Sequence, residues 1–408
     1  MAHYTLRSDK IKATNFEFAI VGGLSISQAL AISPIVSIFN KRMGMRPTML
    51  IGAALIFLSL LTSSFVTQVW HLILSQGICF GWGMGFIYVT ASAILPSWFS
   101  THRSLAVGLA TSGAGLGGLV YSLVANAAIE SLGVEWAYRI IACCSLCANL
   151  LACALLKEFR EGATMSTRQD DRWRQDARFF GQVEVVLILF WGFVTELGYI
   201  ALLYSLPSFA ASISLTPTQG SVANALLNLG LGLGRPPLGW LSDIMGRINM
   251  AMIMTALCAL FCFSLWIPAQ SFSVLLAFAF LAGATCGTFW CTVTPVLVEV
   301  VGLKKFAGTF SVVLVALVLP TTFAEVVAME VAKASHGAQT RDYTGAQAFV
   351  GFMFLAGALS LLLLRCWKVW RVELDQQDRD ERGQAASWGS RQWMPWLRPR
   401  FVFGLWRV

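Results

Sequence analysis

Eleven apolar runs, each about the length of a membrane-crossing helix, make up most of this chain. A bilayer core about 30 Å thick needs roughly 20 apolar residues per helix. By that rule the spans fall near 19–39, 48–66, 70–95, 105–129, 136–157, 182–208, 220–241, 249–268, 271–298, 306–332 and 346–368. Only 12% of the residues are charged and the mean hydropathy is +0.68, whereas soluble domains carry about 25% charged residues. An all-α, multi-pass membrane protein is expected. Its spans group as five plus six around one charged stretch, KEFREGATMSTRQDDRWRQDARFF.

This grouping predicts an N-terminal segment at 1–18, a first helical bundle at 19–157 and a central loop at 158–180. A second bundle at 181–371 and a tail at 372–408 follow. Basic residues settle the expected orientation. The loops at 40–46, 99–104, 157–180, 242–248 and 299–305, with the stretch from Arg365 to the end, hold 22 Lys and Arg, and the opposite loops hold 3. Cytoplasmic loops carry that excess, so the central loop and tail are expected inside. The net charge of +8 is thereby explained without nucleic acid. The lipid bilayer is the surrounding partner.

Catalytic patterns are missing from the sequence. No nucleophile–base–acid set, phosphate loop or metal-ligand set can be read, so neither enzyme activity nor a cofactor is expected. Cys143, Cys144 and Cys147 form a CCxxC cluster without a second pair or nearby His, and a closed zinc site needs four ligands. The run GLATSGAGLGG carries Gly113 and Gly117 at GxxxG spacing, and GWGMG is similar. Such residues let membrane helices approach closely, either in static packing or as sliding surfaces.

Two charges inside spans stand out. Arg235 lies six residues inside Leu241, about 9 Å from the helix end at 1.5 Å per residue. A charge there costs about 2.5–3.5 kcal/mol unless it meets water or a partner. Its planar fork suits a substrate carboxylate, and the competing reading is snorkelling to the inner surface. Asn224, Asn228, Leu231 and Arg235 share one helical stripe, expected to face a transport path or a polar helix contact. Glu196 sits at the middle of its span with Tyr199 on the same face. An ionised carboxylate is expensive at that depth, which suits Glu196 either to proton exchange or to a neutral hydrogen bond.

The stretch GRPPLGWLSDIMGR interrupts the oil with an arginine, two prolines and an aspartate. Pro236 and Pro237 are expected to kink the helix end. Asp243 is expected to cap the following helix or to face its positive N-terminal end, and Arg247 to reach headgroups or an acidic partner. Gly239, Asp243, Gly246 and Arg247 resemble the GxxxDxxGR loop of the major facilitator superfamily. NKRMGMRP upstream resembles the loop's earlier copy, keeping Gly44 and Arg46 with Lys41 in place of the acid. NLGLGLGRPPLGWLSD, PSWFSTHRSLAVGLATSGAGLGG and LPTTFAEVVAME are similar to the monocarboxylate transporter-like branch, especially its fungal members.

The resemblance implies a major facilitator fold of two pseudo-symmetric helical bundles that rock about a midplane cavity. It implies transport of a monocarboxylate or related small organic anion, coupled to protons. Arg235, Glu196, Asn228, Asn224, Tyr199 and Glu325 become candidates for the path. Gly239, Asp243, Gly246, Arg247, Gly44, Arg46 and Arg103 become candidates for cytoplasmic gate loops. The family has twelve spans, so its first span is expected to be missing here, and with it the lysine that animal members use for substrate and proton. The acid those members carry four residues before the arginine is Leu231. Leu116 replaces the proline usual in antiporters, which leans towards uptake. A metabolite exporter and a non-transporting, truncated membrane protein are the alternatives, and the plasma membrane is the expected location.

Overall fold

A water-free bilayer offers backbone groups no partners, so a chain of this composition satisfies them within helices. The computed structural model describes residues 15–99, 101–156, 182–334 and 343–381, and every regular element among them is helical. The first half holds α1 (Asn15–Ala31), α2 (Ser33–Met43), α3 (Met45–Ser63), α4 (Val69–Trp98), α5 (Arg103–Leu132) and α6 (Val134–Leu155). The second half holds α7 (Val183–Ser212), α8 (Pro217–Met245), α9 (Arg247–Trp266), α10 (Phe272–Val301), α11 (Leu303–Ala316), α12 (Val318–Ala334) and α13 (Thr344–Glu381).

Among the described residues nine helices are long and apolar enough to cross a membrane, or ten if α1 and α2, bent by 44°, form one span. The expected count of eleven included α8, whose Asn, Arg and Pro residues make it less apolar than its 29-residue length suggests. The span placed at 346–368 continues as helix to Glu381, and Pro236 and Pro237 lie inside an unbroken α8. Prolines are tolerated in membrane helices because neighbours can satisfy the freed carbonyls. The central loop at 158–180 and the tail beyond Glu381 lie outside the described residues.

Four glycines turn the chain directly from one helix into the next. Gly44 (φ 85°) joins α2 to α3 and Gly246 (φ 98°) joins α8 to α9, with Gly133 and Gly302 doing the same elsewhere. Positive φ is a conformation that side-chain-bearing residues rarely adopt. The two motif copies thus occupy matching turns in the two halves.

The halves meet on two sides. Gly23 of α1 approaches the Thr322 carbonyl of α12, and the Ser37 hydroxyl lies 2.8 Å from that of Ser311 on α11. On the other side α5 packs on α8. A Cβ at Gly115 would lie 2.6 Å from the Asn228 carbonyl oxygen, and one at Gly108 as close to that of Arg235. Gly113 and Gly117, the expected contact pair, have nothing within 4 Å of their Cβ positions. Burial is lopsided. In α5 and α6 only 22% and 11% of the most apolar stretch is buried, against 61% in α7 and 50% in α13.

Candidate functional site

A cavity of about 350 Å³ lies between the halves. Helices α1, α4 and α5 supply Leu30, Tyr88 and Thr111, and α7, α8 and α10 supply Glu196, Tyr199, Arg235 and Trp290. Most of the remaining wall is aliphatic, with Ile26, Met84, Leu95 and several alanines. Tyr88 and Trp290 meet edge to face across the halves at 5.6 Å between ring centroids. Such a chamber suits a ligand with an apolar body and few polar groups.

Its polar chemistry is concentrated on two side chains. Arg235 is 4% exposed, and its Nη1 donates to the Thr111 carbonyl of the opposite half. Tyr199 lines the same cavity, while Nε has no hydrogen-bond partner among the described residues. Glu196 is 2% exposed. Trp290 lines the same cavity, and Glu196 Oε2 has no hydrogen-bond partner among the described residues. Arg235 and Glu196 share the cavity without forming an ion pair. Leaving a buried donor or acceptor unmet costs about 1–3 kcal/mol, more for charged groups. Each therefore retains capacity to bind something that enters.

Room for the guanidinium comes from Gly287, where α10 is interrupted between Cys286 and Thr288. A Cβ there would stand 2.8 Å from Arg235 Nη2 and 3.0 Å from Nε.

The second cluster clasps the halves at one end of α5. Asp243, in the last turn of α8, accepts bonds from the backbone N–H groups of Ser104 (3.1 Å) and Leu105 (3.0 Å). These are orphan donors at the start of α5, where the helix dipole favours a negative charge. The expected cap on the following helix is thus corrected: Asp243 caps a helix of the other half. Gly239, one turn earlier, brings α8 close enough that a Cβ would lie 3.0 Å from Leu105 Cα.

Arg247 lies 3.9 Å from Asp243 and 3.6 Å from Glu299. Arg103 donates to the Phe99 carbonyl, bracing the α4–α5 turn. In the first copy of the motif, Arg46 donates to the Leu156 carbonyl at the end of α6. Lys41 stands where Asp243 stands in the second copy. A lysine has no acceptor to offer a helix start.

The predicted path residues separate. Arg235, Glu196 and Tyr199 line one cavity, but Asn224 and Asn228 are not among its lining residues. Asn228 lies against α5 at Gly118 and donates to the Asn224 carbonyl, so that part of the stripe makes a helix contact. The Glu325 side chain lies outside the described residues. Thr111, Tyr88, Trp290 and Gly287 were not singled out in the sequence, because aromatic and small residues are ordinary on membrane helices.

The profile described as Major Facilitator Superfamily matches residues 6–212 and 188–408. The "Probable transporter MCH2" of Saccharomyces cerevisiae is 31% identical over 384 residues, covering 92% of this chain and 79% of that protein. The "Fujikurins efflux protein" of Gibberella fujikuroi is 26% identical over 348 residues, covering 85% and 73%. Among solved structures, the proton:xylose symporter XylE bound to 6-bromo-6-deoxy-D-glucose superposes with a TM-score of 0.66 at 17% identity. The match covers 84% of this chain and 83% of that one. At that identity the likeness concerns the fold.

Proposed function

This chain belongs to the Major Facilitator Superfamily, and from that premise we propose that it carries a monocarboxylate or related small organic anion together with a proton. It is a multi-pass membrane transporter, not an enzyme. One observation carries the finer reading: a guanidinium and a carboxyl, both buried and each with an unmet polar atom, face the same cavity between the halves. The anion binds Arg235 through the free Nε. Glu196 carries the proton, and its loss of that proton supplies the negative charge that releases the anion. Unit charges a few ångströms apart interact by several kcal/mol at intermediate dielectric. The halves rock about this site, and the Asp243 clasp closes the end assigned to the cytoplasm.

The quoted motifs favour the monocarboxylate transporter-like branch and a plasma-membrane location. In the second half α7 packs against α12 and α13. The corresponding helices α5 and α6 leave Gly113 and Gly117 uncovered, with Val120 57% and Leu123 60% exposed.

The test is uptake of labelled monocarboxylates by vesicles containing the purified protein, with the outside made acidic. Accumulation that a protonophore collapses supports the reading; uptake indifferent to the gradient removes proton coupling. A second reading, export of a larger anionic metabolite, is supported by the aliphatic walls of the cavity and by the relative named as an efflux protein. Accumulation in inside-out vesicles alone would favour it.

A further inference from the structure

A second cavity, of about 300 Å³, opens between α7, α11 and α13 and shares no residue with the central one. It is lined by Lys305, Lys368 and Arg371, with Glu184 as the carboxylate among its lining residues and Trp367 on one wall. Lys368 and Arg371 are three residues apart on α13 and so share a face. Lys305 approaches from the first turn of α11. The positive ends of two helix dipoles add to this charge, since α7 and α11 both begin beside the cavity.

Local geometry keeps Lys368 and Arg371 available for a ligand. Lys368 Nζ donates to the backbone carbonyl of Glu299 at 3.1 Å, which orients the ammonium without cancelling its charge and uses one of its three donors. The Arg371 guanidinium lies over the Trp367 ring, 5.4 Å from its centroid, a contact that leaves the edge N–H groups free. The cavity sits where α13 leaves the apolar stretch, on the side that the positive-inside rule assigns to the cytoplasm. Inner leaflets are anionic, and basic pockets between membrane helices on that side suit phosphate-bearing headgroups.

We propose that this cavity binds a phosphate group, either the headgroup of an anionic phospholipid in the adjoining leaflet or a free phosphomonoester. The site is one hydrogen bond from the clasp. Lys368 holds the Glu299 carbonyl, the Glu299 carboxylate faces Arg247, and Arg247 faces Asp243. Occupancy therefore bears on the contact between the halves.

The experiment measures thermal unfolding of the full chain in detergent, titrated with dioctanoyl phosphatidic acid, dioctanoyl phosphatidylcholine or glycerol 3-phosphate. The expected result is stabilisation by phosphatidic acid and none by phosphatidylcholine. Lys305→Gln with Arg371→Gln weakens the apparent affinity by about tenfold or more, and Lys305→Arg with Arg371→Lys retains it. Equal stabilisation by glycerol 3-phosphate, sensitive to the same variants, assigns the site to a free phosphomonoester. An undiminished phosphatidic acid response in the double glutamine variant overturns the site. Should that variant not fold, Arg371→Gln alone, at an exposed position, replaces it: a weakened response supports the site and an undiminished one overturns it.

Discussion

Gly287 stands directly behind the guanidinium of Arg235: a methyl group added there would come within 2.8 Å of Nη2. The arginine cannot simply retreat, because Nη1 is held by the Thr111 carbonyl on the opposite side. Backbone strain is not the issue, since Gly287 has φ −80°, which alanine adopts freely. Gly287→Ala should therefore push Arg235 into the cavity while leaving folded yield unchanged. We expect the half-saturation constant for the transported anion to rise about tenfold, equivalent to about 1.4 kcal/mol. Unaltered transport kinetics would mean that the position of Arg235 does not matter for binding.

Asp243 serves the contact between halves, and the two residues that donate to it, Ser104 and Leu105, do not line the cavity. Asp243→Asn keeps one acceptor oxygen but loses the charge that matches the start of α5, an effect of about 1 kcal/mol. The exchange rate should fall about fivefold, with anion affinity within about twofold of the parent. Parallel binding and counterflow measurements separate the two. A tenfold loss of binding with cycling intact would remove Asp243 from the gate.

Helix positions were readable because lipid leaves apolar runs a single way to satisfy their backbone. What stands opposite a given residue was not readable. Asn228 and Arg235 are seven residues apart on α8, close to two full turns, and so point nearly the same way. At the depth of Arg235 that face meets the cavity, while at Asn228 it meets α5 at Gly115 and Gly118. Hydropathy also marks charge and not shape. Glu196 and Arg235 announced themselves, whereas Trp290, Tyr88 and Thr111, which bond or border them, look like any membrane-helix residue. Asp243 was legible as a cap, but its partner lies 138 residues away in sequence at Leu105, a distance that local spacing cannot bridge.

The proton-carrying role of Glu196 is tested by Glu196→Gln. A glutamine keeps the shape and can still hydrogen-bond, but it cannot exchange a proton. Net uptake driven by an acidic exterior should be lost, while counterflow of the anion persists. Uptake in the parent rises as the exterior is acidified, and in the variant it should be flat with pH. Arg235→Lys should weaken anion binding instead, because a single ammonium replaces a planar fork. Parent-like pH dependence in Glu196→Gln would leave the residue with only a structural hydrogen bond.

Glycines on α5 give the sharpest contrast between helix packing and free surface. A Cβ at Gly115 would stand 2.6 Å from the Asn228 carbonyl oxygen and 2.8 Å from Gly232 Cα. Both are backbone atoms, so α5 and α8 must move apart to admit it. Gly113 and Gly117 have nothing within 4 Å, and alanine gains roughly 0.5–1 kcal/mol over glycine in a helix interior. Gly115→Ala should therefore lower the unfolding temperature of this 408-residue chain in detergent by several degrees. Gly113→Ala and Gly117→Ala should leave it unchanged or slightly raised. Equal damage from Gly113→Ala and Gly115→Ala in the present chain would contradict the packing of α5 on α8.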